Sequence, residues 1–194
     1  MRVIGLTGGI GMGKSTAAEA FRRARLPVFD ADRVVHALGA KGGRAVGPID
    51  RAFPGVVRNG QVDRGRLRQR VLADPAGLAQ LEAILHPLVR TAERRFLARA
   101  RRAGRRLAVL DIPLLFETGS DRRVDRVIVV SAPASVQRSR LRRRKMQPDE
   151  LYAILARQMP DREKRRRADM VVPTGLSRHH GQRVLRRLIR ELLA

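Results

Sequence analysis

Near the start of the chain, Gly8-Gly9-Ile10-Gly11-Met12-Gly13-Lys14-Ser15-Thr16 follows directly on the apolar run Val3-Ile4-Gly5-Leu6. Gly8, four residues and then Gly13-Lys14-Ser15 fit the spacing G-x-x-x-x-G-K-[ST], in which each residue type answers a physical demand. Glycines let the backbone take positive φ and approach a ligand where a side chain would obstruct it. Successive N–H groups then form an anion nest, reinforced by the positive end of the helix expected from about Lys14. In such a loop Lys14 reaches the β- and γ-phosphates as a point charge, and the Ser15 hydroxyl ligates Mg²⁺. The chemistry this predicts is nucleotide binding; the loop does not name the group that receives a phosphoryl.

Two further acidic positions bear on that chemistry. Val28-Phe29 reads as a short strand running into Asp30-Ala31-Asp32, and a carboxylate at a strand end beside a polyphosphate serves a cation or a proton transfer. Asp32 could equally cap a helix that starts at Arg33. Leu107 to Ile112 reads as a buried strand that delivers Asp111, the usual placement for indirect Mg²⁺ contact in enzymes with such a loop.

These residues need a scaffold. Helical composition from Ala17 to Arg25, stopped at Leu26-Pro27, gives a strand–loop–helix–strand unit. Further strands are expected at Arg126 to Ser131 and Met170 to Val172, with a terminal helix from Ser177. Strands alternating with helices predict a parallel α/β sheet. From Arg33 to about Gly104 the pattern is helical, with breaks at Gly42-Gly43, Pro48, Pro54-Gly55 and Asn59-Gly60, and with Asp63 and Asp74-Pro75 as helix starts. His86-Pro87 is expected to break or kink a helix there. Between the last two strands, the arginine-rich stretch Gln137 to Lys145 and a second helix from Pro148 to Met159 read as a lid whose cations close over a phosphoryl group.

The chain has 194 residues, enough for one α/β core with insertions and expected to form one compact unit. It has no cysteine, so a disulfide framework, a thiolate metal site and a catalytic cysteine are excluded. Met1-Arg2 lead into a few apolar residues and then glycines, without the apolar core of a signal peptide, and no apolar run reaches membrane-spanning length; a cytoplasmic location is expected. Forty-two Lys+Arg against 18 Asp+Glu give a formal charge of +24, which calls for polyanionic company. With Tyr152 the only tyrosine and no tryptophan, the stacking platform of a single-strand binder is missing. Another small-molecule kinase and a basic ATP-dependent nucleic-acid-binding protein both stay compatible with the loop and the charge.

Longer motifs discriminate. Gly5-Leu6-Thr7-Gly8-Gly9-Ile10-Gly11, Gly13-Lys14-Ser15-Thr16, Asp30-Ala31-Asp32, Leu85-His86-Pro87-Leu88-Val89 and Pro113-Leu114-Leu115-Phe116-Glu117 are followed by Gln137 with Arg140 and Arg144, then Gln158, Lys164 and Ala168-Asp169. In this combination and order, covering nearly the whole chain, the sequence resembles the dephospho-coenzyme A kinase family. The resemblance implies a three-layer α/β/α P-loop fold like that of the nucleoside monophosphate kinases, with a five-stranded parallel sheet. It divides the chain into a nucleotide-binding core at 1–32, 105–134 and 168–194, a helical acceptor-binding insertion at 33–104 and a lid at 135–167.

The implied reaction is ATP-dependent phosphorylation of the ribose 3′-hydroxyl of dephospho-coenzyme A, with Mg²⁺. Carried over by residue, Asp32 is the general base, with Lys14 and Arg140 catalytic. Gly8, Gly9, Ile10, Gly11, Met12, Gly13, Lys14, Ser15, Thr16 and Arg144 bind the nucleotide. Thr7, Asp32, His86, Leu114 and Glu117 shape the acceptor site, and Ser15 and Asp111 serve the metal. Spacing in the lid leaves Arg138 or Arg143 as alternatives to Arg140. Pro173-Thr174-Gly175 stands where many members have Asn-x-Gly near the nucleotide base. The expected partners are the two small-molecule substrates, with no specific nucleic acid and no membrane, in a monomer or weak homo-oligomer.

Overall fold

The computed structural model describes residues 1–72, 74–143 and 148–193. In chain order its elements begin with β1 (Arg2–Thr7), α1 (Lys14–Arg23), β2 (Val28–Asp30), α2 (Ala31–Gly39), α3 (Val46–Ala52), β3 (Val57–Arg58) and β4 (Gln61–Val62). They continue with α4 (Arg64–Leu72), α5 (Pro75–Arg102), β5 (Leu107–Asp111) and β6 (Arg126–Ser131). The last are α6 (Ala134–Arg143), α7 (Pro148–Arg157), α8 (Asp161–Arg167), β7 (Met170–Pro173) and α9 (Arg178–Leu193).

Five strands form one sheet in the order β2-β5-β1-β6-β7. β1 lies at its centre, parallel to β5 with Leu6 opposite Asp111, and parallel to β6 with Gly5 opposite Val127; β6 and β7 are also parallel. Continuous apolar runs are what such strands require, because both faces are covered. On one face Ile4, Leu6, Val109, Ile128 and Val130 pack with Phe21 of α1 and with Leu185, Leu188 and Ile189 of α9. On the other, Gly5 leaves room for Leu115 and Val124: a Cβ there would lie 2.9 Å from Leu115 Cδ2. Two strands start on a carboxylate. Val3 N–H donates to Asp125 (2.6 Å) and Val127 N–H to Asp169 (2.7 Å), while the Asp125 and Asp169 amides donate back to the Val3 and Val127 carbonyls.

Helix α1 ends earlier than its composition suggested, with Ala24 as cap and Arg25 in the left-handed region at φ 58. Leu26 N–H donates to Phe21 O and Arg25 N–H to Arg22 O, the double bond pattern of a Schellman motif, and Leu26 packs in the same core as Phe21. A non-glycine residue in this conformation costs roughly 1–2 kcal/mol. Arg25→Gly is therefore expected to stabilise the fold by about 1 kcal/mol, raising the thermal midpoint by roughly 2–4 °C. A midpoint that falls on substitution would contradict this account of the turn.

Chain contacts divide the protein into two units, Met1–Phe29 with Ala100–Ala194, and Asp30–Arg99. Length alone had suggested one compact unit; the second has its own core. Ala45, Ile49, Phe53, Val56, Val62 and Val71 are buried there, with Leu78, Leu81, Ile84, Leu85 and Leu88 of α5 packed on them. Three details differ from the sequence expectation for this segment. Pro48 sits in the first turn of α3, where a missing N–H costs nothing, and does not interrupt it. Asn59-Gly60, with φ of 51 and 75, is the two-residue turn of a small hairpin joining β3 to β4, not a break between helices. His86-Pro87 does not break its helix, since α5 runs through Pro87. The carbonyl that loses its partner there is that of Ala83, an exposed residue where water can serve, while the apolar side of α5 stays packed.

Candidate active site

Strand β1 hands the chain to the glycine-rich loop at Thr7. A side chain at Gly8 has no room: its Cβ would lie 2.4 Å from Val130 Cγ2 and 2.7 Å from the Val130 carbonyl oxygen. Met12 turns inward and is buried in the core under the loop, where its sulfur accepts from Ala132 N–H. Gly13 is the left-handed N-cap of α1 (φ 93), so the helix begins at Lys14 and presents its amino end to the loop. Ser15 and Thr16 are exposed in its first turn.

The Lys14 ammonium lies 2.5 Å from Asp111 Oδ1, and the Asp111 side chain is 4% exposed. The register of β1 with β5 makes this meeting possible, since it sets Asp111 beside the last turn of chain before the loop. The loop backbone is held by side chains from distant elements. Gln137 of α6 donates to Ile10 O (2.8 Å), while Ile10 N–H donates to Gln158 Oε1 (3.0 Å). Arg140, one helical turn after Gln137, donates to Gly11 O (3.1 Å) and to the Thr174 carbonyl (2.5 Å). The Thr174 hydroxyl donates to Met12 O (2.5 Å). Gly175 lets Thr174 come this close, because a Cβ on Gly175 would lie 2.2 Å from Pro133 Cδ.

A second polar cluster lies behind Thr7. Thr7 is buried and its hydroxyl donates to Pro113 O (2.9 Å). Lys164 of α8 is 0% exposed, forms an ion pair with Glu117 Oε1 (2.8 Å) and also reaches Pro113 O (3.4 Å). Met159 N–H donates to the same Glu117 oxygen (2.7 Å), whereas Glu117 Oε2 is buried with no hydrogen-bond partner among the described residues. Leu114 is half-buried in this segment. Elsewhere on α8, hydrogen bonds from Arg167 and then Arg166 hold the Glu163 carboxyl below its ordinary range.

In the other unit the helix cap is Asp30, not Asp32: α2 begins at Ala31, and the Asp30 carboxylate accepts from Arg33 N–H (3.0 Å). Asp32 stands in the first turn, exposed. His86 is an exposed residue of α5. Arg144 lies outside the described residues. Oxygen ligands suit Mg²⁺, which keeps several waters and takes substrate phosphates alongside one or two protein groups. The exposed Ser15 hydroxyl and the Asp111 carboxylate are donors of that kind, so the residues present fit the ion.

A family profile for dephospho-CoA kinase matches residues 2–177. The chain belongs to the dephospho-CoA kinase family. It is similar to the dephospho-CoA kinase of Paramagnetospirillum magneticum, 61% identical over 85% of this chain and 78% of the other. It is also similar to that of Mesorhizobium japonicum, 57% identical over 90% of this chain and 88% of the other. A crystal structure from Thermus thermophilus superposes with a TM-score of 0.84 at 35% identity, covering 98% of this chain and 97% of that one. The parallel five-stranded sheet with its phosphate-binding loop is thus that of a kinase family. Among family motif residues, Gln137, Gln158 and Lys164 carried no stated role in the sequence reading, and Thr174 entered only as a departure. Their partners lie up to 162 positions away, so spacing along the chain gives no signal for them.

Proposed function

We propose that the chain transfers the γ-phosphoryl group of ATP to the ribose 3′-hydroxyl of dephospho-coenzyme A, giving coenzyme A and ADP, the final step of coenzyme A biosynthesis. The observation that carries this reading is the family match over residues 2–177 of a chain in which Lys14, at the end of the glycine-rich loop, is ion-paired with Asp111. The 3′-oxygen attacks the γ-phosphorus, the bond to the β–γ bridging oxygen breaks, and ADP leaves. Loop amides and Lys14 hold the phosphates through the loose transition state, so that positioning and electrostatics supply the acceleration.

Asp32 accepts the hydroxyl proton. Its exposure and its freedom from the capping duty taken by Asp30 support that role. Mg²⁺, held through Ser15 and Asp111, supplies charge neutralisation to the phosphates when bound. Residues 33–104 supply the acceptor site, to which His86, Leu114 and Glu117 contribute. Residues 135–167 act as the lid, with Arg138 and Arg143, both exposed on α6, as the arginines available to the transferring group. The enzyme works in the cytoplasm as a monomer or weak homo-oligomer.

The product settles the reading. Incubation with ATP, Mg²⁺ and dephospho-coenzyme A is expected to yield a phosphorus resonance that couples to the ribose 3′ proton, with stoichiometric ADP. Asp32→Asn is expected to lose 10²–10⁴-fold in kcat, roughly the worth of a positioned base. A phosphate elsewhere on the product contradicts the reaction, and near-normal turnover in Asp32→Asn removes that residue as base.

A further inference from the structure

Three consecutive carbonyls of the loop are tied down by side chains. Ile10 O accepts from Gln137, Gly11 O from Arg140 and Met12 O from Thr174. The three tethers form one group: Gln137 and Arg140 share a face of α6, and Arg140 NH1 also donates to the Thr174 hydroxyl (3.3 Å). Among the described residues no peptide bond is cis, and in a trans peptide the N–H points opposite to the C=O. Holding the carbonyls of residues 10 and 12 toward α6 and Thr174 therefore turns the N–H groups of Gly11 and Gly13 the other way, while the Gly11–Met12 peptide, its carbonyl held by Arg140, closes a turn through Met12 N–H to Gly9 O (3.1 Å). Something must do this, because Gly11 and Gly13 sit at φ 77 and 93 in a loop whose glycines tolerate many conformations. The same loop makes room for its tethers. A Cβ on Gly11 would lie 3.4 Å from Gln137 Cγ, and one on Gly13 would lie 3.3 Å from Thr174 Oγ1.

We propose that Gln137, Arg140 and Thr174 are positioning residues that hold the carbonyls of Ile10, Gly11 and Met12, fix the loop's turn and thereby aim the N–H groups of Gly11 and Gly13 at the phosphates of ATP. This rests on the reading of the loop as the ATP site. It assigns Arg140 to the carbonyl side of the loop, acting on ATP through the backbone and not on the transferring phosphoryl. It also gives Thr174 a function of its own: a short hydroxyl that reaches Met12 O while accepting from Arg140.

The test compares Thr174→Val, Thr174→Ser, Gln137→Met and Arg140→Met with the parent protein. ATP affinity is measured by calorimetry without acceptor, and steady-state kinetics with dephospho-coenzyme A. Thr174→Val and Gln137→Met are expected to weaken ATP binding about tenfold and to raise the KM for ATP in step, the size of one neutral hydrogen bond in a preorganised site. The KM for dephospho-coenzyme A and kcat at saturating ATP should change less than threefold, and Thr174→Ser should behave as the parent. Arg140→Met should follow the same pattern with a larger rise in KM. A 10²-fold loss of kcat in Arg140→Met with unchanged ATP affinity would place the guanidinium on the transferring group and overturn the proposal. Unchanged ATP affinity in both Thr174→Val and Gln137→Met overturns it as well. Weakened ATP binding in the variants of a protein that never phosphorylates dephospho-coenzyme A would leave the tethers standing and remove the acceptor reading alone. If one variant does not fold, the other two tethers decide.

Discussion

Lys14→Met is expected to lower kcat with dephospho-coenzyme A by 10²–10³-fold or more while the far-ultraviolet circular dichroism stays that of the parent. The lysine has two duties. In the proposed mechanism its ammonium holds the β- and γ-phosphates, and removing one such preorganised cation from a phosphoryl-transfer site costs on the order of 10²–10³ in rate. It is also a partner of Asp111, which is 3% exposed. Methionine keeps the stem that fills space and removes only the charge. Asp111 then loses one of its partners at a buried strand end, and a destabilisation of about 1–3 kcal/mol accompanies the kinetic loss. Stopped activity with a fold that unfolds a few degrees earlier is the expected pair of results. Turnover within threefold of the parent would contradict the role given to the loop.

Lys164→Met is expected to have the largest effect on stability, about 3–5 kcal/mol, or roughly 6–20 °C in thermal midpoint. Lys164 is fully buried and its partner Glu117 already carries one buried oxygen without a hydrogen bond among the described residues. Removing the ammonium leaves the Glu117 carboxylate with the Met159 N–H as its remaining hydrogen bond among the described residues. Breaking a buried pair from one side is far costlier than replacing both members by neutral groups. The double variant Lys164→Met with Glu117→Gln should therefore recover a good part of the loss, because the amide oxygen can still accept from Met159. A single variant as stable as the parent, or a double variant worse than the sum of the singles, would contradict this account of how α8 is fixed to the segment after β5.

How much of this the sequence disclosed depends on the range over which each requirement acts. The loop was legible because its demands are local: glycine where Val130 crowds the backbone, lysine and serine where a helix begins. The strands were legible because burial on both faces writes continuous apolar runs, as in Val127 to Val130. Asp63 and Asp74 cap α4 and α5 as expected, and one cap assignment slipped by two residues. Asp30 and Asp32 are both good caps, and only the backbone at Asp30 (φ −112) decides between them. The break expected at Pro87 is absent for a different reason. A proline breaks a helix when nothing else holds it, whereas Leu85 and Leu88 on the same helix are packed against a core whose buried members lie at 45–71. The tethers on the loop carbonyls were illegible in principle: Gln137, Arg140 and Thr174 are ordinary surface-compatible residues until the sheet brings the end of β7 and the start of α6 to the loop. The second unit's hairpin was written plainly in Asn59-Gly60, but its two-residue strands are too short to show alternation.

The measurement that bears most directly on the account is the initial rate of ADP release with ATP and Mg²⁺ in the presence of dephospho-coenzyme A, set against adenosine, AMP and shikimate at equal concentration. The account predicts release well above background with dephospho-coenzyme A and near background with the other three, abolished by Lys14→Met. No release above background with dephospho-coenzyme A, or a higher rate with one of the other acceptors, would contradict it.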